Sequence, residues 1–282
     1  MPTPVASSHQ SELRPVSGVT LEILSGGRGE PLLVLHDYEY LNEWQPFEAA
    51  LAEHYTVVVP SHPGCGRSAF PQEFESIDDL AYLYLDLLRE FAPARVHLMG
   101  LGVGGWIAAE IAVRCTHHLR RLVLVDAVGI KISDPTTRDI ADTYIIGPEE
   151  FLKLAWHDPA AGARVMKLPG LGSLSEQELV MLFRGRQSIA QLAWKPFMHN
   201  PRLRAWLRRI DIPTLVLWGA SDRIVTPEYG QTYAQLIPGA RFQVLPAAGH
   251  YPYLEQPEAF VAAVTAFLQE GESSAPPASP AR

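Results

Sequence analysis

The chain has 282 residues, 47% of them hydrophobic and 19% charged, with a formal net charge of −8. That length suits one large α/β domain with an inserted subdomain and a sizeable core. The negative charge gives no electrostatic reason to expect nucleic acid or an anionic membrane surface as a partner. No uncharged apolar run approaches the roughly 20 residues that span a bilayer, and two cysteines, Cys65 and Cys115, are too few for a disulfide framework.

Residues 1–17 are polar and irregular and are expected to form a flexible arm. They lack an apolar core flanked by basic residues, so a cytoplasmic protein is expected. Val19 to Leu24 alternates like a strand and runs into the turn cluster Ser25-Gly26-Gly27-Arg28-Gly29. Leu32 to Leu35 reads as a buried strand ending in His36-Asp37-Tyr38. Glu43 to Glu53 suits a helix, and Tyr55 to Val59 a second buried strand. After a Gly/Pro-rich loop, Ser76 can cap a helix that carries Ile77, Leu80, Tyr84, Leu87, Leu88 and Phe91 on one face.

Val96 to Met99 is the next apolar strand. It runs through Gly100-Leu101-Gly102-Val103-Gly104-Gly105 into an alanine-rich helical stretch from Trp106 to Val113. A strand that turns at once into a helix is the setting of the nucleophile elbow, Gly-x-Ser-x-Gly. Here glycine stands at the nucleophile position, Gly102. Leu122 to Val125 is a further strand ending at Asp126.

Over residues 128–210 the strand–helix rhythm breaks, and short helical pieces rich in Trp, Phe, Met and Arg suggest an inserted cap, with Pro169-Gly170 as a break. In its last piece Leu203, Trp206, Leu207 and Ile210 fall on one side, with Arg202, Arg204, Arg208 and Arg209 around them. A solvated helix face explains that stripe better than a basic docking surface. The rhythm resumes with strands at Thr214 to Trp218 and Arg241 to Leu245 and a closing helix from Glu255 to Leu268. Residues 271–282 read as a disordered tail. The domain plan is thus a core of residues 18–127 and 211–270 around the cap. Its alternating strands and helices imply a mostly parallel sheet covered on both faces.

Four segments together carry a family resemblance. Leu33-Val34-Leu35-His36 resembles the strand before the oxyanion loop of α/β hydrolases, and His62-Pro63-Gly64-Cys65-Gly66-Arg67-Ser68 the family's later glycine-rich loop. Leu217-Trp218-Gly219-Ala220-Ser221-Asp222 is similar to the segment bearing the triad acid. Ala248-Gly249-His250-Tyr251-Pro252 resembles the one bearing the triad histidine. Nucleophile position, acid and histidine follow in the order Gly102, Asp222, His250, as that fold requires. The capped hydrolases of carbon–carbon bonds and esters look nearest.

Two departures stand out. Gly102 can form no acyl-enzyme, and losing such a nucleophile costs about 10⁶ in kcat, on the order of 8 kcal/mol. Asp37 stands where the family usually has glycine, and a carboxylate there opposes the developing oxyanion. Gly102 also relieves elbow strain.

The resemblance implies His250 as a general base oriented by Asp222; Asp37, by its position, reads as a further acid or base, the alternative being an exposed loop carboxylate. The resemblance places oxyanion-site backbone at Tyr38 and Val103. A largely apolar small-molecule pocket is expected among His36, Trp156, Trp194, Phe197 and Tyr251. Phe151, Leu154, Met166, Leu168, Met181, Phe183 and Met198 add further apolar bulk, most of it for the cap's own core.

Asp126 is a lesser candidate for the orienting acid. Cys65 and Cys115 suit packing, and His117-His118 a solvated helix end; no cluster has metal-ligand spacing, and no cofactor is expected. The function implied is lyase-, isomerase- or hydrolase-type chemistry on a carbonyl- or ester-like compound. One alternative is an inactive homologue that binds ligand or acts as a scaffold. A distant one is a dinucleotide-binding protein, because Gly100-x-Gly102-x-x-Gly105 with Asp126 about 20 residues on matches that fingerprint. Substrate identity and oligomeric state are left open.

Overall fold

The computed structural model describes residues 9–38, 43–166 and 175–270. Eight strands form one sheet: β1 (His9–Val16), β2 (Val19–Gly27), β3 (Pro31–Leu35), β4 (Thr56–Pro60), β5 (Val96–Leu101), β6 (Leu119–Val125), β7 (Thr214–Gly219) and β8 (Arg241–Leu245). Their spatial order is β1-β2-β4-β3-β5-β6-β7-β8. β2 runs antiparallel to both β1 and β4, and every later pairing is parallel.

Parallel strands need crossovers, and the helices supply them. They are α1 (Pro46–Leu51), α2 (Ile77–Arg89), α3 (Val103–Arg114), α4 (Pro148–Ala155), α5 (Pro159–Val165), α6 (Glu176–Ala193), α7 (Leu203–Trp206), α8 (Pro227–Leu236), α9 (Pro252–Glu255) and α10 (Pro257–Leu268). With helices on both faces, strands β3, β4, β5 and β7 are buried almost throughout, as a sheet covered on both sides demands.

Local chemistry explains the starts. Ser76 and Asp79 form a capping box that opens α2, and Ile77, Leu80, Tyr84, Leu87 and Leu88 turn inward from it. α3 follows β5 without a connecting loop and is buried from Val103 to Val113. A Cβ on Gly104 would lie 2.0 Å from the Leu35 carbonyl oxygen, so only glycine lets this helix approach the end of β3.

Two expectations change. The flexible arm expected over residues 1–17 is, from His9 to Val16, an edge strand paired along its whole length with β2. Its polar side chains stay largely exposed while the backbone hydrogen bonds to a neighbour, so no apolar pattern marks it. The helix expected over residues 43–53 is confined to Pro46–Leu51, starting at proline, which is pre-organised for the first turn. The expected tail, the Pro169-Gly170 break and Leu168 lie outside the described residues.

Between β6 and β7 the chain leaves the sheet and forms α4 to α7. Among the backbone bonds that tie this segment back to the core, two come from the end of α4. The His250 N–H donates to the Ala155 carbonyl at 2.7 Å, and the Arg223 N–H to the Leu154 carbonyl at 3.0 Å. The end of α4 thus holds the loops carrying both His250 and Asp222. Trp206, expected on the apolar side of its helix, is exposed with Arg208 stacked over it.

Candidate active site

Five strand ends converge beside the elbow. β5 turns into α3 at Gly102, whose φ of +53° lies in the left-handed region. Asp37 follows β3, Asp126 follows β6, Asp222 follows β7, and His250 follows β8. Asp37, Asp126, Asp222 and His250 are all buried.

Asp37 occupies the space of the missing side chain. A Cβ built on Gly102 would fall 2.3 Å from Asp37 Cγ, 2.4 Å from its Oδ1 and 2.6 Å from its Oδ2, closer than a real Cβ comes to a non-bonded atom. Asp37 Oδ1 accepts the Val103 N–H at 2.9 Å. Asp37 Oδ2 lies 3.4 Å from His250 Nε2. A carboxylate therefore fills the place where a nucleophile hydroxyl would stand. It consumes the Val103 N–H, an expected oxyanion donor, and faces the catalytic-type histidine.

On the other side of the ring, His250 Nδ1–H donates to Asp222 Oδ2 at 2.7 Å. Asp222 Oδ1 accepts the N–H groups of Ile224 and Val225 at 2.8 and 3.0 Å. Burial opposes a charge on His250, but the Asp222 and Asp37 carboxylates overcome it and hold the imidazole well above its ordinary pKa. The site is thus a line Asp37–His250–Asp222, with the ring between two carboxyls that favour its protonated form.

Asp37 is fixed from below by two neutral histidines. His36 Nδ1–H donates to the Asp37 carbonyl at 2.6 Å, while His36 Nε2 accepts the His62 N–H at 3.0 Å. His62 Nε2–H donates to the His36 carbonyl at 2.8 Å, and His62 Nδ1 accepts the Tyr84 hydroxyl at 2.6 Å. Each ring has one donor and one acceptor role, which fits the neutral form. Burial lowers both: His36 well below its usual value, with the charge of His62 adding to the effect, and His62 to about 4. Nothing in the sequence patterning marked His62 and Tyr84 as the bracket beneath Asp37.

A void of about 10 Å³, room for about one water, lies against Asp37, Val103 and His250. Its other walls include Tyr38, Val128, Ile140, Ala141, Thr143, Met198 and Ile224. The expected pocket residues are mostly elsewhere. His36 is part of the bracket. Trp156 is buried against Tyr251, its Nε1–H on Met166 Sδ at 3.2 Å, and Tyr251 packs between Trp156 and His250. Trp194 is half-exposed in an aromatic cluster with Tyr144 and Phe197, and Phe197 lines a surface cleft of about 340 Å³ instead. Their apolar bulk is spent on packing within the α4–α7 segment and onto the core. Tyr38 lines the void, and its hydroxyl is 2.5 Å from Thr143 Oγ1.

Asp126, Asp222 and His250 have ligand-type atoms within 4.8 Å of one another. His250 Nδ1 and Asp222 Oδ2 are already spent on each other, and Asp126 Oδ1 on the Gly219 N–H. Cys65 is buried and its thiol is pushed up to about 12, which suits packing and not nucleophilic attack. A pyrophosphate at the start of α3 would meet the Asp37 carboxylate on the Val103 N–H, which removes the basis of the dinucleotide reading.

This sheet order, with an elbow after β5 and an acid and a histidine after β7 and β8, defines an α/β hydrolase, and the chain belongs to the alpha/beta hydrolase family, whose model matches residues 32–263. The chain is 26% identical over 286 residues to an uncharacterized protein of Mycobacterium tuberculosis, covering 93% of this chain and 82% of the relative. It is 22% identical to the 2-hydroxy-6-oxo-6-(2'-aminophenyl)hexa-2,4-dienoic acid hydrolase of Metapseudomonas resinovorans, covering 89% of this chain and 88% of that one. Among solved structures it resembles a membrane phospholipase A, a bacterial virulence factor, with TM-score 0.75 and 25% identity over 96% of this chain and 88% of the other. Among the described residues, no helix is long and apolar enough to cross a membrane.

Proposed function

We propose that this protein is an enzyme that acts on a small, largely apolar carbonyl- or ester-like compound by proton transfer, without an acyl-enzyme. Asp37 and His250 are the acting pair, and Asp222 orients the ring. The observation that carries this reading is the Asp37 carboxylate standing 2.3 Å from where a Gly102 Cβ would be. In the resting state Asp37 accepts a proton and the imidazolium gives one, the reverse of the usual assignment of base to the histidine. Such acid–base catalysis is worth about 10²–10⁴-fold, enough for an elimination, an isomerisation or the hydration of an activated carbonyl.

The void walls suit such a substrate: apolar Val103, Val128, Ile140, Met198 and Ile224 line it together with the two acting groups, Tyr38 and Thr143. A void of about 10 Å³ cannot hold a metabolite, so substrate must displace the wall formed by Ile140, Ala141, Thr143 and Met198, all from the segment between β6 and β7. The dienoic acid hydrolase named above supports the substrate class by kinship of fold and nothing narrower.

The test is exchange of substrate protons with deuterated water, read by NMR over a panel of small ketones, enol esters and lactones. Exchange or turnover should occur with the wild type and disappear in both Asp37→Asn and His250→Gln. Turnover indifferent to both substitutions contradicts the reading. Ligands that bind without any turnover favour a binding protein instead. A mass adduct on Asp37 would show the carboxylate acting as a nucleophile.

A further inference from the structure

Asp126 is a buried acid with no part in the steps above, and its surroundings are unusual. It stands directly after β6 with φ +44°, a backbone conformation that asparagine and aspartate tolerate better than most residues. Its Oδ1 accepts the Gly219 N–H at 2.9 Å. Among the described residues no donor reaches its Oδ2, which is buried. A carboxylate oxygen of Asp126, one of Asp222 and a ring nitrogen of His250 lie within 4.8 Å of one another.

Asp222 has about four lone-pair sites as a carboxylate. Three are taken, by the N–H groups of Ile224 and Val225 and by His250 Nδ1–H. One acceptor site remains, and one buried oxygen beside it lacks a partner. Two adjacent buried carboxylates cannot both stay ionised. A proton on Asp126 Oδ2 satisfies both residues at once.

We propose that Asp126 is a positioning residue, held as a neutral carboxylic acid whose O–H donates to Asp222, so that a single, oriented negative charge stands behind His250. Asp126 touches no reacting atom; it acts through Asp222. The groups facing it are Asp222 after β7, His250 and Tyr253 after β8, and the backbone of Gly219. Burial and then the charge of Asp222 drive the Asp126 carboxyl well above the usual range, against the opposing pull of His250 and the Gly219 N–H. The role rests on the reading of His250 and Asp222 as working groups.

The proton on Asp126 can be measured without any substrate, so failure of this inference is separable from failure of the proposed function. In the full chain labelled with ¹³C at aspartate Cγ, the Asp126 resonance, assigned by its loss in Asp126→Asn, should report a protonated carboxyl across neutral pH. Asparagine reproduces both bonds, its oxygen accepting from Gly219 and its amide donating to Asp222. Asp126→Asn should therefore leave the titration midpoint of His250, read by ¹⁵N NMR, within about 0.3 unit of wild type, where Asp222→Asn lowers it by about 1–3 units. Asp126→Leu, which cannot donate, should broaden or shift the His250 Nδ1 proton signal; if that variant does not fold, the asparagine variant and the carbon resonance carry the test. An ionised Asp126 at neutral pH, or a His250 midpoint moved by about a unit in Asp126→Asn, overturns the inference.

Discussion

Two buried histidine sites lie at strand ends on either side of Asp37 and differ in charge. His36 and His62, rings 4.0 Å apart beneath the β3 loop, bond to backbone and to a tyrosine hydroxyl, and burial keeps them neutral. His250 is as deeply buried, yet Asp37 and Asp222 on its two nitrogens keep it cationic. Desolvation favours the neutral imidazole, and carboxylates beside the ring pull the other way. The difference also separates scaffold from chemistry: the neutral pair holds the backbone of Asp37, and the charged ring faces its side chain.

The sharpest way to break the comparison is to remove the charge behind His250. Asp222→Ala leaves a buried imidazolium without its shorter partner and should cost about 3–5 kcal/mol in denaturant unfolding at neutral pH. A loss under about 1 kcal/mol would mean that the ring is neutral after all. The neutral pair predicts an effect of similar kind but opposite direction in pH. A histidine whose folded pKa is lowered is protonated more readily in the unfolded chain, so stability falls as pH drops from about 6.5 toward about 4. For His62 alone the loss at about pH 4 is about 3 kcal/mol, and replacing it with a residue that cannot titrate, as in His62→Gln, should flatten that limb. His250, with its pKa raised, gives stability that is complete below about 6.5 and is lost as pH rises through its folded value. Its limb should therefore appear on the alkaline side and vanish in His250→Gln. Smallest is Asp37→Asn, in which the Val103 N–H keeps an acceptor while the second charge is gone; the His250 midpoint should fall by about one unit, or about 1.4 kcal/mol.

Much of this arrangement was legible in the residues. The elbow, the acid and the histidine segments appear in family order, and both departures, Gly102 and Asp37, are visible as letters. What the letters do not carry is that the two positions meet, the Asp37 carboxylate after β3 standing where a side chain on Gly102 would go. That contact needs the two loops in space. β1 escaped notice for a different reason: an edge strand with solvent-facing polar side chains is held by backbone pairing, which leaves no hydrophobic period. The aromatic residues expected around substrate were judged by type. Trp156 and Tyr251 turn toward each other, and orientation of that kind is decided by packing partners far along the chain.

The central claim is that Asp37 occupies the nucleophile's place and excludes one. It is tested most directly by comparing Gly102→Ser with the double variant Asp37→Gly/Gly102→Ser for hydrolysis of an activated ester and labelling by a serine-directed phosphonate. The single variant must force a side chain into Asp37 and should show neither activity nor labelling. The double variant clears the carboxylate, frees the Val103 N–H and leaves His250 paired with Asp222, so both ester hydrolysis and labelling at residue 102 should appear. Esterase activity from Gly102→Ser alone, equal to that of the double variant, would contradict the account.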